Sequence, residues 1–288
     1  MPLPYAQEYL DRGADRLGLH RYASPDADTV AMLWPAMGTP AGYYRPFATA
    51  LAEAGMEVVV ADLRGTGSST PRPSRASRYG MADLVGDVGA VREWLTPSLA
   101  GRRLLLVGHS LGGQAALLHV GASRVAVGSG PAPHPVAGIA LVACGLPYWR
   151  TYPAPGRYAV LGYTQAIAGL SGALGYWPGW TFGGVQAKGV IGDWAHTARH
   201  GRYPMMGDFD AESALASVTT PVLAVSVDND RYTPPATVDH LCAKLGATSV
   251  QRRHLGAAQA TGDLDHFRWV RAASPLAGWV TDFAGSLA

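Results

Sequence analysis

The chain has 288 residues, 48% of them hydrophobic and 15% charged, with a formal net charge of +2. A chain of that length buries roughly three-quarters of its unfolded surface, so a large core forms without disulfide staples. The near-neutral charge gives no electrostatic case for nucleic acid or an anionic membrane surface as a partner.

The opening residues Met1-Pro2-Leu3-Pro4 lack the basic stretch and apolar core of a secretory signal. No run approaches the roughly 18 uninterrupted apolar residues of a spanning helix, and a soluble cytoplasmic protein is expected. Cys144 and Cys242 form no framework and read as two inert thiols. Residues up to Pro25 read as polar and irregular, with at most one edge strand near Leu17–Arg21. Thr29–Trp34 predicts a buried strand stopped by Pro35, followed by a turn-rich loop and a helix around Tyr44–Ala54. Met56–Ala61 predicts a second strand, and Leu84, Val88, Val91 and Leu95 give Met81–Leu95 helical spacing. Leu104–Val107 is a third strand, with a helix-compatible run after Gly113. Val136–Ala143, Pro221–Val227 and Thr248–Arg253 predict further strands; Thr233–Leu245 and Ser274–Phe283 predict helices. Short, fully apolar strands alternating with helices point to an α/β architecture, a mostly parallel sheet covered on both faces.

Residues 145–215 break that alternation. A strandless stretch this long, crowded with glycine and aromatic residues, reads as a helical cap inserted into a core formed by residues 1–144 and 216–288. Its expected position is over the carboxyl ends of the strands, where open α/β sheets bind ligands. Rings that could line a pocket there include Tyr148, Trp149, Trp177, Trp180 and Trp194, alongside Ala36, His109 and Phe267 from the core.

Chemistry concentrates at Gly108-His109-Ser110-Leu111-Gly112. This is G-x-S-x-G, with a buried strand before it and a helix after it, the context of a nucleophile elbow. A serine hydroxyl needs a base within reach, and the base needs an orienting carboxylate. The acid is expected after the Val222–Val227 strand, where Asp228 and Asp230 compete; Asp230, later in the turn, is better placed. The base is expected after the last strand, at His266 within an aromatic-flanked loop or at His254 on the strand end. Oxyanion donors are expected at the backbone N–H of Leu111 and at that of Met37 or Ala36, since Pro35 has none. His196 and His200 have helical metal-ligand spacing, but Thr197 stands where a zinc-protease motif needs glutamate, and no metal or other cofactor is expected.

With these pieces in place the chain resembles the α/β-hydrolase-fold serine hydrolases, within a branch of esterase- and lipase-like hydrolases. The matching segments are Pro35-Ala36-Met37-Gly38, Tyr43-Tyr44-Arg45-Pro46-Phe47, Asp62-Leu63-Arg64-Gly65-Thr66-Gly67-Ser68-Ser69, the elbow through Gln114, Tyr148-Trp149 and His266-Phe267-Arg268. The resemblance implies an eight-stranded core, a helical cap and a Ser110–His266–Asp230 triad. It departs at Pro35-Ala36, where many relatives carry His-Gly, and at Asp265, where glycine is commoner. The expected activity is hydrolysis of a carboxylic ester of a moderately hydrophobic small molecule, the partner being an ester or thioester. Acyl transfer, thioester cleavage or cyclisation on the same triad, and ligand binding without catalysis, are the alternatives.

Overall fold

The computed structural model describes residues 4–24, 26–125, 134–260 and 262–287. The strands are β1 (Tyr5–Arg12), β2 (Asp15–Tyr22), β3 (Thr29–Trp34), β4 (Glu57–Ala61), β5 (Arg103–His109), β6 (Val136–Val142), β7 (Tyr176–Trp177), β8 (Gln186–Ala187), β9 (Val222–Val227) and β10 (Val250–Leu255). The α-helices are α1 (Arg45–Glu53), α2 (Met81–Leu95), α3 (Leu111–Val125), α4 (Gly156–Leu174), α5 (Lys188–His200), α6 (Ala211–Ala216), α7 (Pro235–Cys242) and α8 (Ala273–Gly285).

Eight strands form one sheet in the order β1-β2-β4-β3-β5-β6-β9-β10. It is parallel from β4 to β10, while β2 runs antiparallel to β4 and to β1. Every residue of β3, β4 and β9 is buried, as strands covered on both faces require. Alternate side chains divide the core. Met32, Val59, Leu104 and Leu106 pack with α2 and α3 on one face. Leu33, Val58, Leu105 and Val107 pack with α1 and α8 on the other.

The amino-terminal stretch is a two-stranded hairpin, not the irregular segment with one edge strand that its sequence predicts. Leu17 and Leu19 bury one face of β2, whereas β1 is mostly exposed and carries no apolar alternation. Its pairing comes from the backbone ladder along β2, which hydropathy does not register. Likewise, β7 and β8 are a two-residue pair within residues 145–215, too short to carry a pattern. The remainder of that segment is built on α4 and α5, which pack together. No helix among the described residues is long and apolar enough to cross a membrane.

Candidate active site

The central strands deliver the site's residues to the carboxyl edge of the sheet. β5 ends at His109, and Ser110 follows with φ +51°, in the left-handed region that side chains other than glycine rarely adopt. Its amide donates to the Val142 carbonyl at the end of β6 (3.3 Å), and its own carbonyl accepts from Gln114 N–H as α3 begins (3.1 Å). Small residues make the turn possible: a Cβ on Gly108 would lie 2.2 Å from Gly113 Cα, and one on Gly112 2.3 Å from the Pro35 carbonyl oxygen. Ala143 after β6 and Asn229 after β9 also have positive φ, so three neighbouring strands end in the same unfavourable conformation.

Past β9, the Asp230 carboxylate is wholly buried and fully engaged. Its Oδ1 accepts from the amides of Tyr232 and Thr233 (2.8 Å each). Its Oδ2 lies 2.8 Å from His266 Nδ1 and 2.6 Å from Thr233 Oγ1. The Ala143 carbonyl, 2.9 Å from the same hydroxyl, is a second acceptor for its single proton. Burial alone pushes the Asp230 carboxyl up, but the hydrogen bond and charge of His266, with the Thr233 hydroxyl and amide, outweigh it and hold the group below its ordinary value. A carboxylate can only accept, so His266 donates from Nδ1, and in the neutral imidazole the Nε2 lone pair is free.

The competing residues pair with each other: Asp228 Oδ1 lies 2.9 Å from His254 Nε2, in solvent. Asp265 turns the loop at its own edge, accepting from the amides of Phe267 and Arg268 (2.8 and 2.7 Å), and both Asp263 and Asp265 pair with the Arg268 guanidinium.

Behind His266 sits a buried assembly that the sequence does not announce. Tyr44 Oη accepts from the Ala36 N–H (2.8 Å) and lies 2.6 Å from His109 Nδ1. Burial pushes the Tyr44 hydroxyl up, so it keeps its proton. Burial first, and then the neighbouring His266 charge, drives His109 well below its ordinary value despite an opposing contact with the His266 backbone. His109 is therefore neutral, and its Nε2 has no hydrogen-bond partner among the described residues. Its ring packs 4.7 Å from His266 and 5.2 Å from Trp269, centroid to centroid. Next door, the Tyr43 hydroxyl donates to the Phe267 carbonyl (2.9 Å). Both tyrosines ride on a short 3-10 turn whose Ala41 amide donates to buried Asp62 (2.6 Å), which also accepts from Ser68 N–H (2.7 Å). The Asp-Leu-Arg-Gly-Thr-Gly-Ser stretch thus braces the loop that holds the histidine in place.

Ser110, Leu111, Met37 and His266 line one cavity of ≈ 180 Å³. No hydrogen bond joins Ser110 to His266. Of the two oxyanion alternatives, the Ala36 amide is already committed to Tyr44, whereas Met37 lines the cavity. Residues 145–215 supply one wall through Tyr152, Val160, Tyr163, Thr164, Phe182 and Trp194.

Of the rings expected in a pocket, Trp194 alone from that segment lines the cavity; Phe267 lines an adjoining groove and meets His266 edge-on at 4.8 Å. Four others lie outside both. Tyr148 packs on His240, Trp149 on Tyr158, and Trp180 is 66% exposed. Trp177 is buried and acts through a neighbour: its indole N–H donates to the Phe182 carbonyl (2.7 Å), and the Phe182 ring stacks between Trp194 and Tyr232 at 5.0 and 5.3 Å. Ala36 and His109 lie behind the cavity wall rather than in it. Trp149 and Trp177 are recruited into packing within the segment itself, a demand that sequence does not separate from ligand binding. Tyr152 and Phe182, two more of the aromatic residues that crowd this segment, do line the cavity, as do Gln114 and Thr233, which the sequence did not single out as pocket residues. Thr233, three residues after an aspartate in a turn, carried a usable signal. His196 and His200 stand one turn apart on α5, ring centroids 4.4 Å apart. No cluster of three or more His, Cys, Asp or Glu that could hold a metal ion occurs among the described residues.

Residues 31–279 match the model of the alpha/beta hydrolase family, a span that takes in six of the sheet's eight strands, all but β1 and β2, and the site. The chain belongs to that family. This alpha/beta hydrolase shares its fold with solved structures of low sequence identity. They include a thioesterase domain from the curacin biosynthetic pathway (TM-score 0.61, 19% identity, covering 96% of this chain and 99% of that one). A dienelactone hydrolase from Anabaena variabilis superposes with TM-score 0.60 at 15% identity, both chains covered in full. Est1E from Butyrivibrio proteoclasticus, solved with ferulic acid, gives 0.64 at 14% identity, covering 97% and 98%. None of the curated proteins matches the alpha/beta hydrolase at a significant level. Family membership supports a hydrolase acting on a small molecule.

Proposed function

We propose that the protein is a serine hydrolase that cleaves a carboxylic ester of a moderately hydrophobic small molecule, with Ser110 as nucleophile, His266 as base and Asp230 as the acid that orients it. One observation carries this reading: His266 donates from Nδ1 to a buried carboxylate and lines the same cavity as a serine held at the tip of a strained elbow. Ser110 Oγ attacks the ester carbonyl carbon and its proton passes to His266 Nε2. The tetrahedral oxygen is held by the Leu111 and Met37 N–H groups. Collapse breaks the bond to the alcohol, which leaves with the proton from His266, and a water molecule activated by the same histidine then releases the acid from Ser110. The elbow and histidine loop belong to a core of residues 1–144 and 216–288, and residues 145–215 act as the lid that encloses the ester. In free enzymes the serine–histidine hydrogen bond is often long and tightens only around substrate.

The test is fluorophosphonate labelling together with turnover of p-nitrophenyl butyrate. Ser110→Ala removes the label and lowers turnover by about 10⁴-fold or more. Labelling that survives the substitution overturns the assignment.

A further inference from the structure

The cavity and the groove beside it describe the substrate as well as the reaction, provided the catalytic reading above holds. The cavity's ≈ 180 Å³ is close to the roughly 150 Å³ apolar cavity that accommodates benzene in an engineered protein. Apart from those of Ser110, His266, Arg231 and Tyr232, its polar side chains are already spoken for. Gln114 Nε2 donates to the Gly145 carbonyl (2.8 Å) and its Oε1 accepts from the Tyr203 hydroxyl (3.0 Å). The hydroxyl of Tyr152 donates to the Tyr232 carbonyl (2.5 Å), and that of Thr164 to the Leu161 carbonyl (3.0 Å). The rest of the lining is aromatic and aliphatic surface, dominated by the Trp194–Phe182–Tyr232 stack.

On the other side of His266 and Tyr232 lies a polar groove of ≈ 620 Å³. Its two carboxylates both engage Arg268, Asp263 at 3.1 Å and Asp265 at 3.3 Å. Arg231 lines both the cavity and the groove and makes no hydrogen bond or ion pair with any described residue. Of the groove's two guanidiniums, Arg231 is therefore the one that no described carboxylate engages.

We propose that the substrate carries a ring-sized apolar group on one side of its ester and a carboxylate on the other, with the apolar group in the cavity and the carboxylate on Arg231. A guanidinium matches a carboxylate as a two-pronged donor, which makes Arg231 a specificity-determining residue.

Two matched substrate pairs test both orientations: the benzoyl ester of glycolate against that of glycolamide, and the monophenyl ester of succinate against phenyl succinamate. In at least one pair kcat/KM favours the anionic member by about fivefold or more, and added salt erodes the preference. Arg231→Gln brings that ratio to near unity, with circular dichroism confirming the fold. In a second series, p-nitrophenyl dodecanoate is turned over at least about tenfold less efficiently than the benzoate, because its chain exceeds the cavity. No anionic preference in either pair, a preference that survives Arg231→Gln, or equal turnover of dodecanoate and benzoate overturns the proposal. Fluorophosphonate labelling at Ser110 separates the failures: label with the wrong preferences sinks the substrate class alone, whereas neither label nor turnover sinks the catalytic reading too.

Discussion

Two aspartate–histidine pairs flank the end of β9, and they differ in little except their surroundings. Asp230–His266 and Asp228–His254 have nearly the same separation, 2.8 and 2.9 Å, and the acids are two residues apart in the chain. The side chains of the first pair are 0% and 4% exposed; those of the second are 38% and 46% exposed. Water competes for every hydrogen bond in the outer pair and screens its charges, so its two side chains hold no fixed geometry worth much free energy. In the inner pair the carboxylate has all its partners inside the protein, and the imidazole can adopt one tautomer only. The chemistry available to a histidine is thus set by what excludes water around it.

The most severe test of that contrast replaces each acid by its amide. Asp230→Asn lowers kcat by about 10⁴-fold, because the amide lets His266 take the wrong tautomer. An intermediate effect comes from the packing behind the pair. Tyr44→Phe leaves the Ala36 N–H and His109 Nδ1 without partners, which costs about 1–3 kcal/mol of stability by chemical denaturation. It lowers kcat about tenfold with KM little changed, since the loosened groups are the histidine's support and the residue before Met37. A rise in KM with kcat unchanged refutes that positioning role. Acid titration sharpens the contrast further. The Asp230 carboxyl is depressed in the folded state, so its stabilisation is complete above the unfolded value of about 3.9 and is lost as pH falls through the folded value. The wild-type Tm therefore drops more between pH 5 and pH 2.5 than that of Asp230→Asn. Asp228 is also depressed, chiefly by its bond to His254, but its exposure makes the corresponding difference smaller. At neutral pH, Asp228→Asn changes kcat less than about twofold; a loss rivalling that of Asp230→Asn dissolves the comparison.

Much of this was legible before any coordinates. The strands that build the sheet's centre are short, apolar and flanked by turn residues, because burial on both faces leaves no other composition stable. Ser110, His266 and Asp230 stood out because chain order and local context restrict where a base and an acid can lie. The β1 hairpin strand was illegible, since backbone hydrogen bonding leaves no trace in hydropathy. The pocket was read least well. Trp149 and Trp180 look like Trp194 as letters, and only packing decides which ring faces the cavity. The Tyr44–His109 bridge was equally hidden: it joins side chains from the turn before α1 and the end of β5, and nothing local demands that they meet.

Ser110, Ala143 and Asn229 end β5, β6 and β9 in a backbone conformation that glycine adopts more readily. For an engineer, this edge of the sheet is where thermal robustness has been left unclaimed. Ser110→Gly relieves the serine's torsional cost and raises stability by up to about 1 kcal/mol, after allowance for glycine's greater freedom in the unfolded chain. The product is a sturdier scaffold without the serine proposed as its nucleophile. Screens for heat tolerance that ignore turnover will converge on such silent variants, so selection at this edge has to be made on both properties together.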